Sequence, residues 1–426
     1  MTTVTPRELL LESFRAAVGA ADPRCILAPH LPVPPRHGRT FVLAVGKAAA
    51  SMAQALEAHW PETASLEGIA ITRYRHGLPT RRVRVIEAGH PVPDEAGESA
   101  AQEALARVRN LGKGDLFLAL ISGGGSSLLA LPAAGITMSD LRAVTSQLLR
   151  SGATIQEINT VRKHLSAIQG GQLAAACRAQ VVALIISDVT GDDPTHIASG
   201  PCTPDPTTYR DALAVLARHA VVPPPAVRDR LAAGVRGMLA ETPKPGDTAF
   251  ARVENRVIAT AQRSLDAAAE LFRTRGIAVD ILGDTITGEA AEVARCHAEL
   301  ARNVRRDRSG PRAILSGGEC TVTVGAAQGR GGRCSEYLLA LAVELGDAGA
   351  HAIAADTDGI DGTEDNAGAI IAPDTIFRAH AQGLNPAALL DKHDSYGFFA
   401  ALGDLVVTGP TLTNVNDYRA VLVDAG

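Results

Sequence analysis

The sequence predicts an α/β protein made of two α/β domains, the first with a Rossmann-like, mostly parallel sheet and the second smaller. Two observations support this prediction. Short apolar, β-branched runs alternate with longer segments of helical periodicity, which is the pattern of repeated β-α-β units. The strand-like runs are also continuously apolar, as in LFLALI at Leu116–Ile121 and VVALII at Val181–Ile186. Such runs are typical of strands that are covered on both faces of a sheet.

The first domain is expected over residues 1–243. Its first helix begins at Thr5-Pro6, because proline is favoured in the first turn of a helix. The remaining helices are predicted by apolar periodicity at 48–56, 94–110, 139–149, 159–177, 207–219 and 226–239. Apolar runs predict strands at 41–45, 68–72, 83–87, 116–121 and 181–186.

A linker is expected at Glu241–Thr248, which contains two prolines, one glycine and several polar residues. The second domain then covers residues 250–426. Its helices are predicted at 265–274, 289–305 and 336–345, and its strands at 256–259, 278–282, 313–315, 321–324, 352–355, 405–408 and 420–423. Ligands bind α/β proteins at the carboxyl ends of strands and between domains, so we expect an active-site cleft between the two domains.

Composition excludes several classes of protein. The 426 residues carry 41 basic and 46 acidic side chains, a formal net charge of −5, so binding to nucleic acid or to a membrane surface is not expected. No apolar run reaches the ~18 residues of a membrane span, and the N-terminus does not resemble a signal peptide, so a cytoplasmic location is expected. The six cysteines form no CxxC pair and are interpreted as reduced thiols. A homodimer is compatible with these features, but none of them requires it.

The strongest local signal is a glycine-rich loop after the strand at 116–121. Three consecutive glycines free the backbone N–H groups to turn toward an anion, and the flanking serines add hydroxyls. A helix that starts just after the loop adds the positive end of its dipole. We therefore favour a phosphate-binding loop over a plain flexible turn at Ser122, Gly123, Gly124, Gly125, Ser126 and Ser127.

Two lysines stand at positions that suggest anion binding. Lys47 follows Gly46 where the strand at 41–45 ends, and a lysine there points into the crevice region of an α/β protein. Lys163 and His164 form a cationic turn of helix. Spacing alone leaves two alternatives for that turn, a solvated face or an edge that faces an anion.

Acidic residues follow another buried strand. Asp188, Asp192 and Asp193 lie within six residues of one another after Val181–Ile186. They could hold a divalent cation or orient a hydroxyl, and the alternative is a turn that caps the next segment. The chain continues into a second glycine turn with a hydroxyl, Ser199-Gly200.

The second domain offers a basic loop and an acidic turn. Arg330 and Arg333 stand among three glycines just before a helix, which suits a bidentate grip on phosphate or carboxylate, the alternative being a solvated loop. The turn Asp356–Gly362 contains Asp358 but lacks the spacing of a calcium-binding EF-hand. It is interpreted as an acidic turn that reaches a metal or a substrate hydroxyl. A further Ser-Gly-Gly turn at 316–318 is read equally well as an anion loop or a tight turn.

Several established catalytic motifs are absent from the sequence. GxGxxG, GxxxxGK[ST], GxSxG and HExxH are not found, which argues against the dinucleotide fingerprint, the Walker A loop, the α/β-hydrolase elbow and the zinc-protease helix. Anion-binding loops beside acidic turns fit phosphoryl transfer, which needs donors and cations around a phosphate and carboxylates for Mg²⁺.

Eight motifs follow one another along the chain between about residue 8 and residue 423. They are Val45–Ala49, Gly89–Asp94, Ser122–Ser127, Val161–Ser166, Ser187-Asp188 with Ile197–Pro201, Gly329–Arg333, Thr357–Gly362, and Thr408–Thr411 with Thr413–Asp417. The set resembles the glycerate 2-kinase family of the MOFRL type, whose members have also been labelled hydroxypyruvate reductase.

The resemblance implies ATP- and Mg²⁺-dependent phosphorylation of D-glycerate at its 2-hydroxyl, which gives 2-phosphoglycerate and ADP. It matches Lys47 to the family's glycine-lysine motif, and Arg330 and Arg333 to its glycine-arginine loop. We predict that Lys47 acts as a point charge on the transferring phosphoryl group or the substrate, and that the arginines grip the glycerate carboxylate or a phosphate.

The remaining site residues follow from the same assignment. Asp188, Asp192 and Asp358 are predicted to ligate Mg²⁺, and Asp188 also to orient the attacking hydroxyl. ATP is expected to contact the glycine-rich loop and four further residues, Lys163, Ser199, Gly200 and Asn414.

The sequence also departs from the family pattern. Cys334 and Ser335 replace an Asn-Gln pair and offer fewer hydrogen bonds, and Leu412 stands where a small residue is common. A kinase that acts on a different small hydroxy acid is therefore one alternative. An NAD(P)H-dependent hydroxypyruvate reductase is another, against which the missing GxGxxG argues. A non-catalytic metabolite-binding protein is a third, against which Lys47 and the two arginines argue.

Overall fold

The computed structural model describes residues 4–307, 310–325, 329–346 and 349–423. The chain forms two compact units. The first is continuous, Pro23–Ile258, and the second combines Met1–Asp22 with Ala259–Gly426. Helix α1 (Pro6–Gly19) therefore lies in the second unit, although it was expected in the first domain.

The first unit is built around a six-stranded sheet in the order β3-β2-β1-β4-β5-β6. Its strands are β1 (Thr40–Val45), β2 (Glu67–Arg73), β3 (Val83–Ala88), β4 (Leu116–Ile121), β5 (Gln180–Ile186) and β6 (Val253–Ala259). Its helices are α2 (Pro23–Ile26), α3 (Ala49–His59), α4 (Glu95–Arg109), α5 (Gly125–Leu128), α6 (Met138–Arg150), α7 (Ile155–His164), α8 (Gln172–Ala175), α9 (Tyr209–Arg218) and α10 (Pro225–Val235). Short 3-10 turns cover Ala28–His30, Ile197–Ser199 and Thr248–Arg252.

The sheet of the first unit confirms the predicted Rossmann-like, mostly parallel architecture. Strands β1 to β5 pair in parallel. Every residue of β1 and β4 is buried, and the Phe41 and Phe117 rings stack on one face with their centroids 6.2 Å apart. Strands β2 and β3 lie on one side of β1, whereas β4 and β5 lie on the other. The strand order therefore reverses between β1 and β4, where a crevice opens at the carboxyl ends.

Strand β6 extends the first sheet beyond the linker that the sequence suggests. The segment expected to open the second domain instead forms the sixth strand of the first unit. Val253 and Val257 pack against the core of the first sheet, so apolar burial explains why the chain stays in this unit up to Ile258.

Three helices of the first unit begin with the same capping box, in which a threonine and an acidic residue three positions later satisfy each other's backbone N–H groups. The pairs are Thr137 with Asp140, Thr154 with Glu157, and Thr208 with Asp211. Glu157 has further partners, since Arg218 donates to it and the His219 ring lies 3.0 Å away. The Thr154 backbone N–H, together with these two side chains, lowers the pKa of Glu157 to about 2.

Replacing Glu157 by glutamine should lower the free energy of unfolding by about 1 kcal/mol at pH 7. Because the pKa of Glu157 is lowered in the folded protein, its contribution is complete above the unfolded pKa and is lost as the pH falls toward 2. The difference between the wild type and Glu157→Gln in urea unfolding should therefore shrink as the pH falls from 4.5. Glu299→Gln, at an exposed position, is the control and should change little. A difference that does not depend on pH would contradict this account.

The second unit contains a six-stranded sheet in the order β13-β12-β11-β14-β9-β7 and a parallel pair, β8 and β10. The strands are β7 (Ala278–Ile281), β8 (Ile286–Glu289), β9 (Arg312–Ser316), β10 (Gly318–Thr321), β11 (His351–Asp356), β12 (Gly368–Ile371), β13 (Leu405–Val406) and β14 (Asp417–Val423). The helices are α11 (Ala261–Thr274), α12 (Ala290–Asp307), α13 (Arg333–Leu345), α14 (Thr375–Ala381), α15 (Pro386–Asp391) and α16 (Ser395–Leu402).

The main sheet of the second unit is mixed, unlike the parallel pattern that alternating strands and helices suggest. Strand β11 pairs antiparallel with β12 and β14, and β14 pairs antiparallel with β9. Strands β11 and β12 follow one another without an intervening helix, and antiparallel neighbours need no crossover. Only the β7–β9 pairing is parallel among the described pairings of this sheet.

Helix α1 completes the core of the second unit. Leu10 and Phe14 are buried with Leu265 and Phe272 of α11. The Phe14 ring lies 6.0 Å from that of Tyr418, whose hydroxyl donates to Ser13 Oγ at 2.8 Å. This burial accounts for the place of α1. Across both units, the described helices include none that combines the length and apolarity needed to cross a bilayer.

Candidate functional site

The glycine-rich loop and Lys47 meet where the strand order of the first sheet reverses. Strands β1 and β4 end side by side, with Val45 opposite Ile121. The Lys47 backbone N–H donates to the Gly123 carbonyl at 2.8 Å, and the Ala48 N–H donates to Ser122 Oγ at 3.1 Å. These bonds hold the residues after both strands together, as the sequence predicts for a crevice site.

Two glycines allow this close approach. Gly46 has φ +116°, and a Cβ there would lie 2.3 Å from Ser122 Oγ. Gly124 has φ +81°, and its Cβ would lie 2.8 Å from His90 Nε2 and 3.4 Å from the Lys47 Cγ. The His90 ring and the Lys47 stem thus lie against the loop. His90 belongs to the Gly-His-Pro motif but was not singled out as a site residue.

Substituting alanine for Gly124 should cost about 1–2 kcal/mol of stability, because a left-handed φ is unfavourable for a residue with a Cβ. The new methyl group would also displace His90 or Lys47, so activity should fall with stability. Gly114→Ala is the matched control, since a Cβ there meets nothing within 4 Å. Urea unfolding of both variants measures the effect. Equal stabilities would show that the loop relaxes without cost.

A second turn lies against the glycine-rich loop through hydroxyl contacts. Ser126 Oγ and Ser199 Oγ lie 2.8 Å apart, and Ser199 Oγ donates to Asn159 Oδ1 at 3.0 Å. Ala198 and Ser199 have φ of 51° and 57°, which is strained for residues other than glycine. The Gly200 carbonyl accepts from the Gly171 N–H at 2.7 Å. The structure therefore brings Ser199 to the glycine-rich loop, whereas the Gly200 carbonyl bonds to Gly171 instead.

Lys163 is buried and does not lie on a solvated face. Its Nζ lies 3.4 Å from Asp205 Oδ1, and both side chains are essentially inaccessible. Burial lowers the pKa of Lys163, while Asp205 opposes that shift. Thr242 and Thr207 donate to Asp205 at 2.9 and 2.7 Å. The pair fits a structural role, and nucleotide binding by Lys163 stays a prediction.

The acidic residues after β5 are partly accessible. Asp188 and Asp192 are half-buried, and Asp192 has φ 54°. Within the described ranges, no group of three or more His, Cys, Asp or Glu side chains is arranged to hold a metal. Mg²⁺ in phosphoryl-transfer sites commonly binds one or two carboxylates together with substrate phosphates and waters. Asp188 and Asp192 fit that mode, and their role as ligands remains a prediction.

In the second unit, Arg333 is the centre of a carboxylate cluster. Its Nε donates to Asp417 Oδ1 at 2.7 Å, its Nη1 to Glu319 Oε1 at 2.8 Å and its Nη2 to Asp356 Oδ2 at 2.7 Å. These three bonds use three of the five guanidinium N–H groups. We call Arg333 and its three carboxylates the Arg333 cluster. Sequence reasoning identified Arg333 but assigned no role to its partners.

Asp417 belongs to a second ion pair. Arg419 Nη2 donates to Asp417 Oδ2 at 2.6 Å, and Arg419 Nη1 donates to the Gly317 carbonyl at 2.8 Å. The Arg419 guanidinium also lies 5.4 Å from the centroid of the Tyr337 ring. Burial alone would raise the pKa of Asp417, but Arg333 and Arg419 hold it below its ordinary value. Asp417 is therefore ionised in the folded protein.

Asp358 and Asn414 lie close to the Arg333 cluster in loops with extensive backbone bonding. The Asp358 N–H donates to Asp356 Oδ1 at 3.0 Å, and Asp358 Oδ1 accepts from the Ile360 N–H at 2.8 Å. Asn414 Oδ1 accepts from the Asn416 N–H at 3.3 Å. Both side chains are buried. The loops are ordered by their own bonds, and the predicted metal and nucleotide contacts of Asp358 and Asn414 remain predictions.

Cys334 and Ser335, which depart from the family pattern, are fully buried. Asp361 accepts from the Cys334 N–H at 2.9 Å, and from the Ser335 N–H and Oγ at 2.8 and 2.6 Å. Burial raises the pKa of Asp361 despite these bonds. Through these bonds Asp361 holds the start of α13, so this departure from the family pattern lies in the interior of the second unit.

Arg330 is the accessible arginine of the loop. It pairs with Glu364 and stacks on Tyr396, with its guanidinium carbon 4.2 Å from the ring centroid. A cavity of about 260 Å³ lies in the same unit. Its lining includes Gly331, Arg333, Glu336 and His393. The His393 Nδ1 lies 2.7 Å from Glu336 Oε1, and burial raises the pKa of Glu336. This cavity is large enough for a small polar metabolite.

A family model described as a domain of unknown function, DUF4147, matches residues 9–232, and the MOFRL family model matches residues 312–417. The chain is 52% identical to a putative hydroxypyruvate reductase of Agrobacterium vitis, over 99% of this chain and 95% of that protein. It is 40% identical to a D-glycerate 2-kinase of Thermotoga maritima, over 89% of each.

A solved structure is similar over nearly its whole length. The crystal structure of a glycerate kinase from Thermotoga maritima superposes with a TM-score of 0.86 at 37% identity, and the match covers 98% of this chain and 99% of that one. The resemblance inferred from the ordered motifs is thereby confirmed. The chain belongs to the glycerate 2-kinase family of the MOFRL type.

Proposed function

We propose that this protein is a glycerate 2-kinase, which transfers the γ-phosphoryl group of ATP to the 2-hydroxyl of D-glycerate and releases 2-phosphoglycerate and ADP. One observation carries the proposal beyond family membership. Lys47 and the Ser122–Ser127 loop are bonded together where the order of a parallel sheet reverses. Such a site offers a cation and backbone donors to a phosphate, which are the main requirements of phosphoryl transfer.

Lys47 and the loop act on the phosphoryl group. The Lys47 ammonium is a compact charge that neutralises the negative charge on the transferring group. The loop N–H groups and the Ser126 and Ser127 hydroxyls bind phosphate oxygens. Gly124 keeps the loop backbone close to both the lysine stem and His90. These groups are fixed before substrate arrives, so little reorganisation is needed during transfer.

Asp188 is the candidate that orients the attacking hydroxyl. As a carboxylate it accepts a hydrogen bond from the 2-hydroxyl and takes its proton as the oxygen bonds to phosphorus. Mg²⁺, when bound, would neutralise phosphate charge, with Asp188 and Asp192 as its candidate ligands. Asp358 is a candidate ligand in the second unit.

The two arginines of the glycine-arginine loop have different roles. Arg330 is accessible and can contact the glycerate carboxylate or a phosphate. Arg333 has three carboxylate partners, so the surroundings are negative overall and do not favour a further anion. We therefore assign Arg333 to the positioning of Glu319 and Asp356, which changes the direct grip expected from the sequence.

The test is product identification. Purified protein is incubated with ATP, Mg²⁺ and D-glycerate, and the product is identified by ³¹P NMR. A 2-phosphoglycerate signal is the expected result. Parallel reactions contain hydroxypyruvate with NADH or NADPH, and a panel of other small hydroxy acids. Oxidation of the nicotinamide without phosphoryl transfer would replace the kinase by a reductase, and transfer to another acid would redefine the substrate.

A further inference from the structure

A cavity of about 330 Å³ in the first unit lies directly beside the glycine-rich loop. Ser126 and Ser127 of that loop form part of its lining. Most of the remaining wall is apolar and comes from the segment before α4, the residues that follow α5, and α6, including Pro91, Pro93, Leu131 and Leu141. A volume of this size and an apolar wall are typical of small-molecule sites.

Gln169 supplies an acceptor that has no partner. The residue is 1% exposed and lines the cavity. Its Nε2 donates to the Ser126 carbonyl at 2.9 Å, and since a carbonyl can only accept, this bond determines which way the amide points. The Gln169 Oε1 is buried and accepts no hydrogen bond from the described residues. A buried acceptor without a partner is destabilising, so a ligand that donates a hydrogen bond to it would bind more tightly.

Arg162 brings a positive charge to the same cavity. Its Nη1 donates to Asn159 Oδ1 at 2.9 Å. In the part of the chain that the structure describes, no carboxylate pairs with it. Burial lowers the pKa of Arg162 to about 10. A partly buried guanidinium without a counter-charge favours an anionic ligand.

The apolar wall, the Gln169 acceptor and the Arg162 charge fit one of the two substrates of a glycerate kinase better than the other. D-Glycerate has almost no apolar surface, so an apolar wall would gain nothing from it. A nucleotide combines a flat apolar base, N–H and O–H donors, and phosphates. Its phosphates would continue onto the adjacent glycine-rich loop.

We propose that this cavity binds the nucleoside part of the nucleotide substrate. Gln169 Oε1 accepts a hydrogen bond from the amino group of the base or from a ribose hydroxyl, and Arg162 faces the phosphates. The inference rests on the proposed function in one respect, namely that a nucleotide is the phosphoryl donor.

The first experiment fills the cavity. Thr145 lines it from α6, and Thr145→Trp would occupy the space of the base. Val222→Trp adds the same side chain at an exposed position outside the cavity and is the control. Calorimetric titration with a non-hydrolysable ATP analogue and Mg²⁺ should show binding at least tenfold weaker in Thr145→Trp and unchanged in Val222→Trp. The KM for D-glycerate should not change. Equal affinities in both folded variants would overturn the proposal.

The second experiment tests Gln169. The wild type should bind ATP about tenfold more tightly than inosine triphosphate, which has an acceptor in place of the amino group, or than 2′-deoxy-ATP. The analogue that loses affinity identifies whether the base or the ribose supplies the donor. Gln169→Met, which has no acceptor oxygen, should remove the preference. A wild type without either preference would refute the role of Gln169.

The two proposals can fail separately. If the wild type phosphorylates glycerate but Thr145→Trp binds the nucleotide as tightly as the wild type, the cavity proposal is refuted and the kinase assignment stands. If Thr145→Trp weakens nucleotide binding but the wild type phosphorylates no hydroxy acid, the kinase assignment is refuted and the cavity proposal stands.

Discussion

Replacing Lys47 by methionine should lower kcat for glycerate phosphorylation by about 10²–10³-fold, the usual effect of removing one preorganised group that stabilises transition-state charge. Methionine keeps the length and apolar stem that pack against Gly124 but removes the ammonium. The KM for ATP should change less than kcat, because the ammonium acts most strongly on charge that moves during transfer. Steady-state kinetics at saturating ATP, Mg²⁺ and D-glycerate measure both parameters.

The chain offers a matched control for this substitution. Lys113 also follows a glycine, but it is exposed and lies outside the glycine-rich loop. Lys113→Met should leave kcat unchanged. Lys47→Arg should not restore activity, because a planar guanidinium cannot replace a compact ammonium in a loop this close. A Lys47→Met enzyme that retains more than a tenth of wild-type kcat would remove the ammonium from the mechanism.

The second large effect is expected at Arg333. Arg333→Met would leave Glu319, Asp356 and Asp417 without their shared cation, and removing one partner of a buried ion pair costs about 3–5 kcal/mol. Urea unfolding at pH 7 should show this loss.

The matched control is in the same loop. Arg330 is well exposed and has a single carboxylate partner, so Arg330→Met should destabilise the protein much less than Arg333→Met. The pH dependence adds an independent check. Arg333 is one of the two arginines that hold the pKa of Asp417 down, so without it that pKa rises in the folded protein and the penalty is relieved as the pH falls toward it. A loss that does not shrink as the pH is lowered into the range where carboxylates protonate would contradict this explanation.

The fold of the first unit could be predicted from the sequence because the composition of each short segment is enough to identify its strands. Leu116–Ile121 and Val181–Ile186 are apolar throughout, and only a strand covered on both faces explains such runs between polar turns. Strand direction in the second unit is not encoded in this way. An apolar strand such as β14 looks the same whether it runs parallel or antiparallel to β11. The pairing depends on connections that are distant in the sequence.

The candidate site likewise combines residues that a short segment of sequence identifies with residues that only the tertiary structure brings together. Lys47 and the glycine-rich loop were recognised because each directly follows an apolar strand. The partners of Arg333 could not be recognised, since Glu319, Asp356 and Asp417 come from three separate elements of the second unit. Lys163 was ambiguous for the same reason, because its partner Asp205 lies more than forty positions away. The sequence shows which residues are ionisable, but it does not show which of them form ion pairs in the folded protein.

The discontinuous second unit has a consequence for biosynthesis. Helix α1 emerges from the ribosome before the first unit, whereas its partners in α11 follow only after roughly 240 residues of that unit. At translation rates of about 5–20 residues per second, Leu10 and Phe14 wait on the order of 10–50 s before Leu265 and Phe272 appear. The first unit can fold during that interval. The apolar face of α1 must therefore stay available, without aggregating, until α11 has been made.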